Sequence, residues 1–217
     1  MIKGVIFDMD GVIIDSHPIH MKTWKKFLAS LGKIATDEDL DFVLEGRKKE
    51  DMLRHFLGDL TPEQVREYGR QKETMFREEA LELKTIAGLT DFLQELCEAG
   101  LRSALASSGS RTRVNYILER LALKKYFSVV ITGDDVPNGK PDPTIFRKAA
   151  DGLGYLYSDV LVIEDAVSGV RAAKLAGMKC LAIADNGRAD LLLEAGADQV
   201  VTDFEGLSLG PLNRMIA

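Results

Sequence analysis

Two carboxylates separated by one residue, Asp8 and Asp10 in Phe7-Asp8-Met9-Asp10-Gly11-Val12, are the first groups along the chain able to do covalent chemistry. A carboxylate oxygen can attack phosphorus and form an acyl phosphate, while a second carboxylate nearby hands a proton to the leaving oxygen. Asp8 is the candidate nucleophile and Asp10 the candidate acid/base. An isolated Asp-x-Asp-Gly is more often a solvated turn that ends a strand, so the weight falls on what else the chain supplies.

Three further segments carry complementary groups. Leu105-Ala106-Ser107-Ser108-Gly109-Ser110 runs from an apolar stretch into a helix-like one, so its hydroxyls and free N–H groups would face a bound anion. Ser107 and Ser108 are the phosphate-ligand candidates, with Ser107 ahead, although an N-cap at Ser108 or Ser110 explains the serines equally well. Asn138-Gly139-Lys140-Pro141-Asp142-Pro143 holds one lysine between glycine and proline. Lys140 there could balance Asp8 and an incoming phosphate, whereas most loop lysines are merely solvated.

Val160-Leu161-Val162-Ile163-Glu164-Asp165-Ala166 repeats the first design, an apolar run that ends in acids. Adjacent carboxylates suit Mg²⁺, which takes oxygen ligands and keeps several waters. Asp165 is expected as a direct ligand and Glu164 as a direct or water-mediated one. Without a cation, Asp8, Asp10, Glu164 and Asp165 would crowd like charges and raise one another's pKa values.

The elements that must position these groups follow from hydrophobic pattern. Short apolar runs at 3–8, 103–106, 129–132, 160–163 and 180–184 read as buried strands, and helical or loop segments separate them. Alternation of this kind predicts an α/β fold with a parallel sheet. Between residues 18 and 83 the period changes: Trp24, Phe27, Leu28 and Leu31 recur at helical spacing, as do Val65, Tyr68, Lys72 and Met75. Thr36 and Thr61-Pro62 look like helix starts, and Leu89–Glu98 looks like a helix closed by Gly100. The expected organisation is a core of residues 1–15 and 85–217 with a helical insert at 16–84, and the two crossings between them form a candidate hinge.

Composition bounds the partners. The 217 residues carry a net charge of -6, with 46% hydrophobic and 29% charged residues, close to globular averages. Nucleic acid and anionic membranes need clustered cations, so a small phosphorylated metabolite is the expected partner, with no obligate protein partner evident. Cys97 and Cys180 lie far apart and outside any CxxC pattern, which suggests neither a disulfide framework nor a zinc site. A reducing cytoplasm is the expected setting. The apolar run at the N-terminus is too short for a signal peptide, and no segment approaches bilayer length.

Taken in order, Asp8-Met9-Asp10-Gly11, Ser107, Gly139-Lys140-Pro141 and Glu164-Asp165 resemble the four motifs of the haloacid-dehalogenase-like superfamily. The helical insert directly after the first motif looks like that superfamily's C1 cap, as in members similar to β-phosphoglucomutase and phosphoglycolate phosphatase. The resemblance implies a Rossmann-like core, with Mg²⁺ held by Asp8, the backbone carbonyl of Asp10 and the Glu164/Asp165 pair. It further implies an aspartyl-phosphate on Asp8 that water later hydrolyses.

Asp15-Ser16-xxx-His20 followed by Trp24 resembles the β-phosphoglucomutase branch, whose cap histidine couples substrate binding to proton transfer, so His20 is a site candidate. That branch places an arginine for a second phosphate where this chain, in Gly46-Arg47-Lys48-Lys49, has Lys49. Lysine lacks arginine's bidentate fork, which weakens a mutase reading, although Arg47 could approach from the same loop. Lys72 matches a cap lysine. A phosphatase acting on small phosphate monoesters, sugar phosphates among them, is therefore expected ahead of a sugar phosphomutase. A catalytically silent binding domain on the same fold comes third.

Overall fold

Val5, Ile6 and Phe7 are completely buried, yet they serve two different cores. Val5 and Phe7 join the apolar cluster on one face of a sheet and Ile6 the cluster on the other, the period-two division of a strand covered on both sides. The computed structural model describes residues 2–184, 187–210 and 212. Its six-stranded sheet is built from β1 (Gly4–Phe7), β2 (Arg102–Ser107), β3 (Phe127–Thr132), β4 (Val160–Glu164), β5 (Lys179–Ile183) and β6 (Gln199–Val201). All the pairings are parallel and the order is β3-β2-β1-β4-β5-β6.

Five of these strands are the five expected apolar runs. The sixth, β6, gives no such signal because it is three half-buried residues that pair with β5 alone, too short for a hydrophobic pattern to register.

β1 sits where the strand order reverses, with β2 on one side and β4 on the other. Open parallel sheets bind ligands beyond the carboxyl ends of their strands at such a reversal. Register makes this concrete, since Phe7 lies level with Leu105 on β2 and with Ile163 on β4. The residues that follow β1 and β4 therefore leave the sheet side by side.

The segment between β1 and the next core helix is helical: α1 (His17–Ser30), α2 (Asp37–Leu40), α3 (Lys49–Leu57) and α4 (Pro62–Glu79). The threonines expected as helix starts are capping boxes. Thr36 with Asp39 caps α2, and Thr61 with Gln64 caps α4, whose first turn also accepts Pro62. Trp24, Phe27, Leu28, Leu40, Val43, Leu53 and Val65 close an apolar core of their own. Phe76 and Ala80, at the far end of α4, belong instead to the cluster on the sheet. Two crossings join this insert to the sheet and run side by side, because Asp15 N–H donates to the Lys84 carbonyl at 3.1 Å and Ile86 N–H to that of Ile13 at 3.1 Å.

The remaining helices complete the layers around the sheet: α5 (Leu89–Glu98), α6 (Arg111–Arg120), α7 (Thr144–Leu153), α8 (Val167–Leu175) and α9 (Ala189–Glu194). Gly100, just past α5, has a φ of 71°, the left-handed conformation expected of a glycine that ends a helix. Among the described residues no helix is long and apolar enough to cross a membrane.

Candidate active site

The tips of β1 and β4 and the loop after β3 meet at one buried cluster. Lys140 Nζ lies 2.5 Å from Asp8 Oδ1 and 2.5 Å from Glu164 Oε1, and its side chain has no exposed surface. It thus ties the ends of two adjacent strands together. Glu164 spends its other oxygen on main chain, accepting from Asp165 N–H and Ala166 N–H at 2.8 Å each. Gly169 of α8 is what lets Glu164 sit there, because a Cβ at that position would fall 1.8 Å from Oε1.

Asp165 is oriented differently. Its Oδ2 is buried and makes a 2.9 Å ion-pair contact with His17 Nε2. It crowds the first loop so closely that a Cβ on Gly11, itself at a φ of 74°, would lie 2.3 Å from that oxygen. A side chain at residue 11 would therefore block the carboxylate as well as strain the turn.

Asp10 points toward the insert. Its Oδ1 accepts from Ser16 Oγ at 2.6 Å and from Arg113 Nη1 at 3.1 Å and lies 3.1 Å from His20 Nε2; its Oδ2 accepts from Arg113 Nη2. His20 Nδ1 is 3.0 Å from Lys72 Nζ, so an imidazole bridges Asp10 and a buried ammonium. Lys72 also lies over the rings of Trp24 and Phe76. Such positions favour a cation through the ring quadrupole without replacing its lost hydration.

Burial and neighbouring charge set the proton affinities. Burial, with Glu164, Asp165 and Asp10 nearby, pushes Asp8 up to about 8 against the pull of Lys140. Burial would raise Asp10 too, but Arg113 and His20 hold it well below the usual carboxylate range. Burial and Lys72 push His20 down to about 3, so its ring is neutral. Burial and then Arg113 bring Lys72 down to about 7. Two carboxylates 2 residues apart are thereby driven in opposite directions, Asp8 toward its protonated form by burial and the acids around it and Asp10 toward its ionised form by Arg113 and His20; a cation beside Asp8 would restore the charge an attacking carboxylate needs.

These groups line a cavity of about 790 Å³, counting its solvent-open mouth, between the strand tips and the insert. Asp8, Asp10, Asp165, Ser108 and Arg113 face it from the sheet side, and His20, Arg47, Lys49 and Lys72 from the insert. Ser107 is fully buried, and its Oγ accepts from Gly109 N–H at 3.1 Å. The Ser108 hydroxyl donates to the Gly46 carbonyl of the insert at 2.7 Å, while Ser110 caps α6. Of the two cap positions allowed by the serine run, the structure uses the later one. Arg47 pairs with Glu45 and lies over Phe42, and the Lys49 stem runs against Gly69.

A family model for haloacid dehalogenase-like hydrolases matches residues 5–183. The chain belongs to this family. A phosphorylated carbohydrates phosphatase from Thermotoga maritima is 34% identical, over 95% of this chain and 97% of its own. A β-phosphoglucomutase from Bacillus subtilis is 33% identical, over 95% and 92%. A haloacid dehalogenase-like hydrolase of family IA, variant 3, from Entamoeba histolytica superposes with a TM-score of 0.89 over 99% of each chain at 25% identity. The chain is thus an enzyme of the phosphoryl-transferring haloacid dehalogenase-like type, and its sheet and flanking helices are the Rossmann-like fold that its motifs implied.

Two residues of the haloacid dehalogenase-like site lie outside the motifs. Arg113 has a faint sequence signal, as it shares the buried face of α6 with Val114, Ile117 and Leu118, where a cation is out of place. His17 has none, because its contact with Asp165 depends on how the insert docks.

Proposed function

We propose that this enzyme is a Mg²⁺-dependent phosphatase of small phosphate monoesters, sugar phosphates in particular, working through a phosphorylated Asp8. The observation that carries this reading is the buried Asp8–Lys140–Glu164 cluster, whose Asp8 faces the cavity together with Asp10 and Asp165. Asp8 Oδ attacks phosphorus in line with the ester oxygen, the P–O bond to the leaving group breaks, and Asp10 delivers a proton to the departing oxygen. Asp10 then takes a proton from water as that water attacks phosphorus; the bond to Asp8 breaks, and inorganic phosphate leaves. Lys140 keeps Asp8 aimed, and Ser107 and Ser108 with the N–H groups of their turn hold the phosphoryl oxygens.

The residues present fit a divalent cation. Among the described residues no three His, Cys, Asp or Glu side chains gather as a metal site by themselves. Two carboxylates and a main-chain oxygen, however, are the kind of set Mg²⁺ accepts beside water and phosphate. Asp8, Asp165 and the Asp10 carbonyl would hold it, with Glu164 behind them; the buried Asp165 Oδ2, which has no hydrogen bond, and Asp8, raised by burial and by Glu164, Asp165 and Asp10, are the kind of crowded acids a divalent cation suits. When bound, the cation neutralises charge that accumulates during phosphoryl transfer.

Residues 16–84 serve as a cap in this reading. His20, Arg47, Lys49 and Lys72 face the substrate from it, and docking against the sheet excludes bulk water. A sugar phosphomutase is the second reading, favoured by Lys49 and Lys72 on the wall opposite Asp8, where they could grip another phosphate. The test is a phosphate-release screen across sugar phosphates, phosphoglycolate, nucleotides and pyrophosphate, with Mg²⁺ and with chelator. We expect Mg²⁺-dependent release from sugar phosphates and background levels with chelator, whereas silence on every ester would overturn the phosphatase. Sustained release from a single hexose monophosphate without an isomerised product would exclude the mutase.

A further inference from the structure

We infer that Arg113 is a positioning residue for Asp10, holding the acid/base carboxylate from the sheet side of the site; this rests on the phosphatase reading above. Asp10 has three holders among the described residues. Ser16 lies in one crossing to the insert and His20 on α1, so both belong to the insert side. Arg113 alone comes from a core helix, α6, which follows β2 directly.

The geometry is that of a clamp. Nη1 donates to Oδ1 and Nη2 to Oδ2 of the same carboxylate, the parallel fork that fixes a carboxylate plane as well as its position. A lysine or a glutamine in that place could hold one oxygen and leave the plane free to turn. Arg113 is itself immobilised. It is 5% exposed, its guanidinium lies over the Phe76 ring at 5.2 Å, and a Cβ at Gly109 would fall 2.6 Å from Nη2. Nη1 also stands 2.8 Å from His20 Nε2, so the same guanidinium fixes the imidazole that touches Asp10. A group that exchanges protons with the leaving oxygen must sit within roughly half an ångström of its productive place, and the fork gives Asp10 an anchor that comes from a core helix as well as those that come from the insert.

A purely structural ion pair would affect every substrate alike, whereas a device that aims a proton donor matters most where the leaving oxygen needs a proton. The test therefore compares two esters, p-nitrophenyl phosphate, whose phenolate leaves unaided, and the best alkyl phosphate from the phosphate-release screen. Arg113→Gln and Arg113→Lys are measured beside the parent, with circular dichroism and a thermal midpoint for each. The parameter read is kcat/KM, which stops at departure of the leaving group.

We expect both variants to lose about tenfold or more on the alkyl ester, within the range of general-acid catalysis, and less than about threefold on the aryl ester. Lysine should not rescue, because it restores charge without the fork. Equal losses on the two esters, or full activity of Arg113→Lys, would each overturn the inference. Should Arg113→Gln fail to fold, the lysine variant alone decides by the same criteria. A parent that releases phosphate but shows one of those patterns sinks only Arg113's role; a parent that releases none sinks the phosphatase and this inference with it.

Discussion

The sheet side and the insert side of the cavity hold their charged groups in opposite ways. On the sheet side Lys140 is fully buried between Asp8 and Glu164, and Glu164 has main-chain donors on its remaining oxygen. On the insert side Arg47 is 36% exposed and its partner Glu45 41% exposed, which is the setting of an ordinary surface pair. Reaction chemistry needs groups that stay put in low dielectric, and choice of substrate needs groups that can be exchanged at little cost to the fold. Lys72 belongs to neither class, being an insert residue that is as deeply buried as the sheet-side groups.

Replacing the nucleophile tests the contrast most severely. Asp8→Asn should lower Mg²⁺-dependent turnover on the order of 10⁴-fold or more. Its folding midpoint at neutral pH should stay unchanged or rise, since one of four crowded acids is gone. Undiminished turnover would refute the assignment of Asp8.

Lys140→Met should combine lost turnover with instability. Removing one partner of a buried ion pair costs about 3–5 kcal/mol, tempered here because Asp8 can take up a proton, and urea unfolding reads the loss. A variant of parental stability would mean that the cluster is not held by this ammonium.

Lys72 provides a pH test. Its folded value near 7 lies below the ordinary 10.5, so between these pH values the unfolded chain carries a proton that the folded one lacks. Stability then rises with pH across that window. Lys72→Met should accordingly outlast the parent most clearly at pH 7 and below, with the difference fading toward pH 10.5. Urea midpoints of the two proteins that differ by a constant amount would show that the ammonium is better solvated than its surroundings imply.

The smallest effects belong to Arg47→Ala and Lys49→Ala. Each should move stability by no more than about 0.5 kcal/mol. Each should raise KM for a sugar phosphate while leaving kcat within about twofold, the mark of binding shared by ground and transition states. A collapse of kcat in either would dissolve the division between the two walls.

Much of the sheet side is legible in the order of residues alone. An apolar run that ends in charge marks a strand tip in an open parallel sheet, and Asp8, Ser107 and Glu164-Asp165 each end such a run. Lys140 stands out for the stiff backbone around it. Capping boxes at Thr36 and Thr61 are equally plain, because a cap is a contact between residues 3 apart in the chain. β6 is hidden by its length, and the orientation of Arg113 by the absence of any local rule that turns an arginine inward.

By itself, then, the sequence determined five of the six strands, the helical character of the insert and which residue types stand at the strand ends, since hydrophobic period and capping act over a few residues. Tertiary structure alone decided that Arg113 clamps Asp10 across 103 residues, that Ser108 reaches the Gly46 carbonyl across 62, and that Lys72 and His20 meet. The first depends on how α6 packs beside the β1 tip, the second on how the helical insert docks against the sheet, and the third on how α1 meets α4 within the insert. Packing of this kind is settled by the fit of apolar surfaces far apart in the chain, which no short stretch encodes.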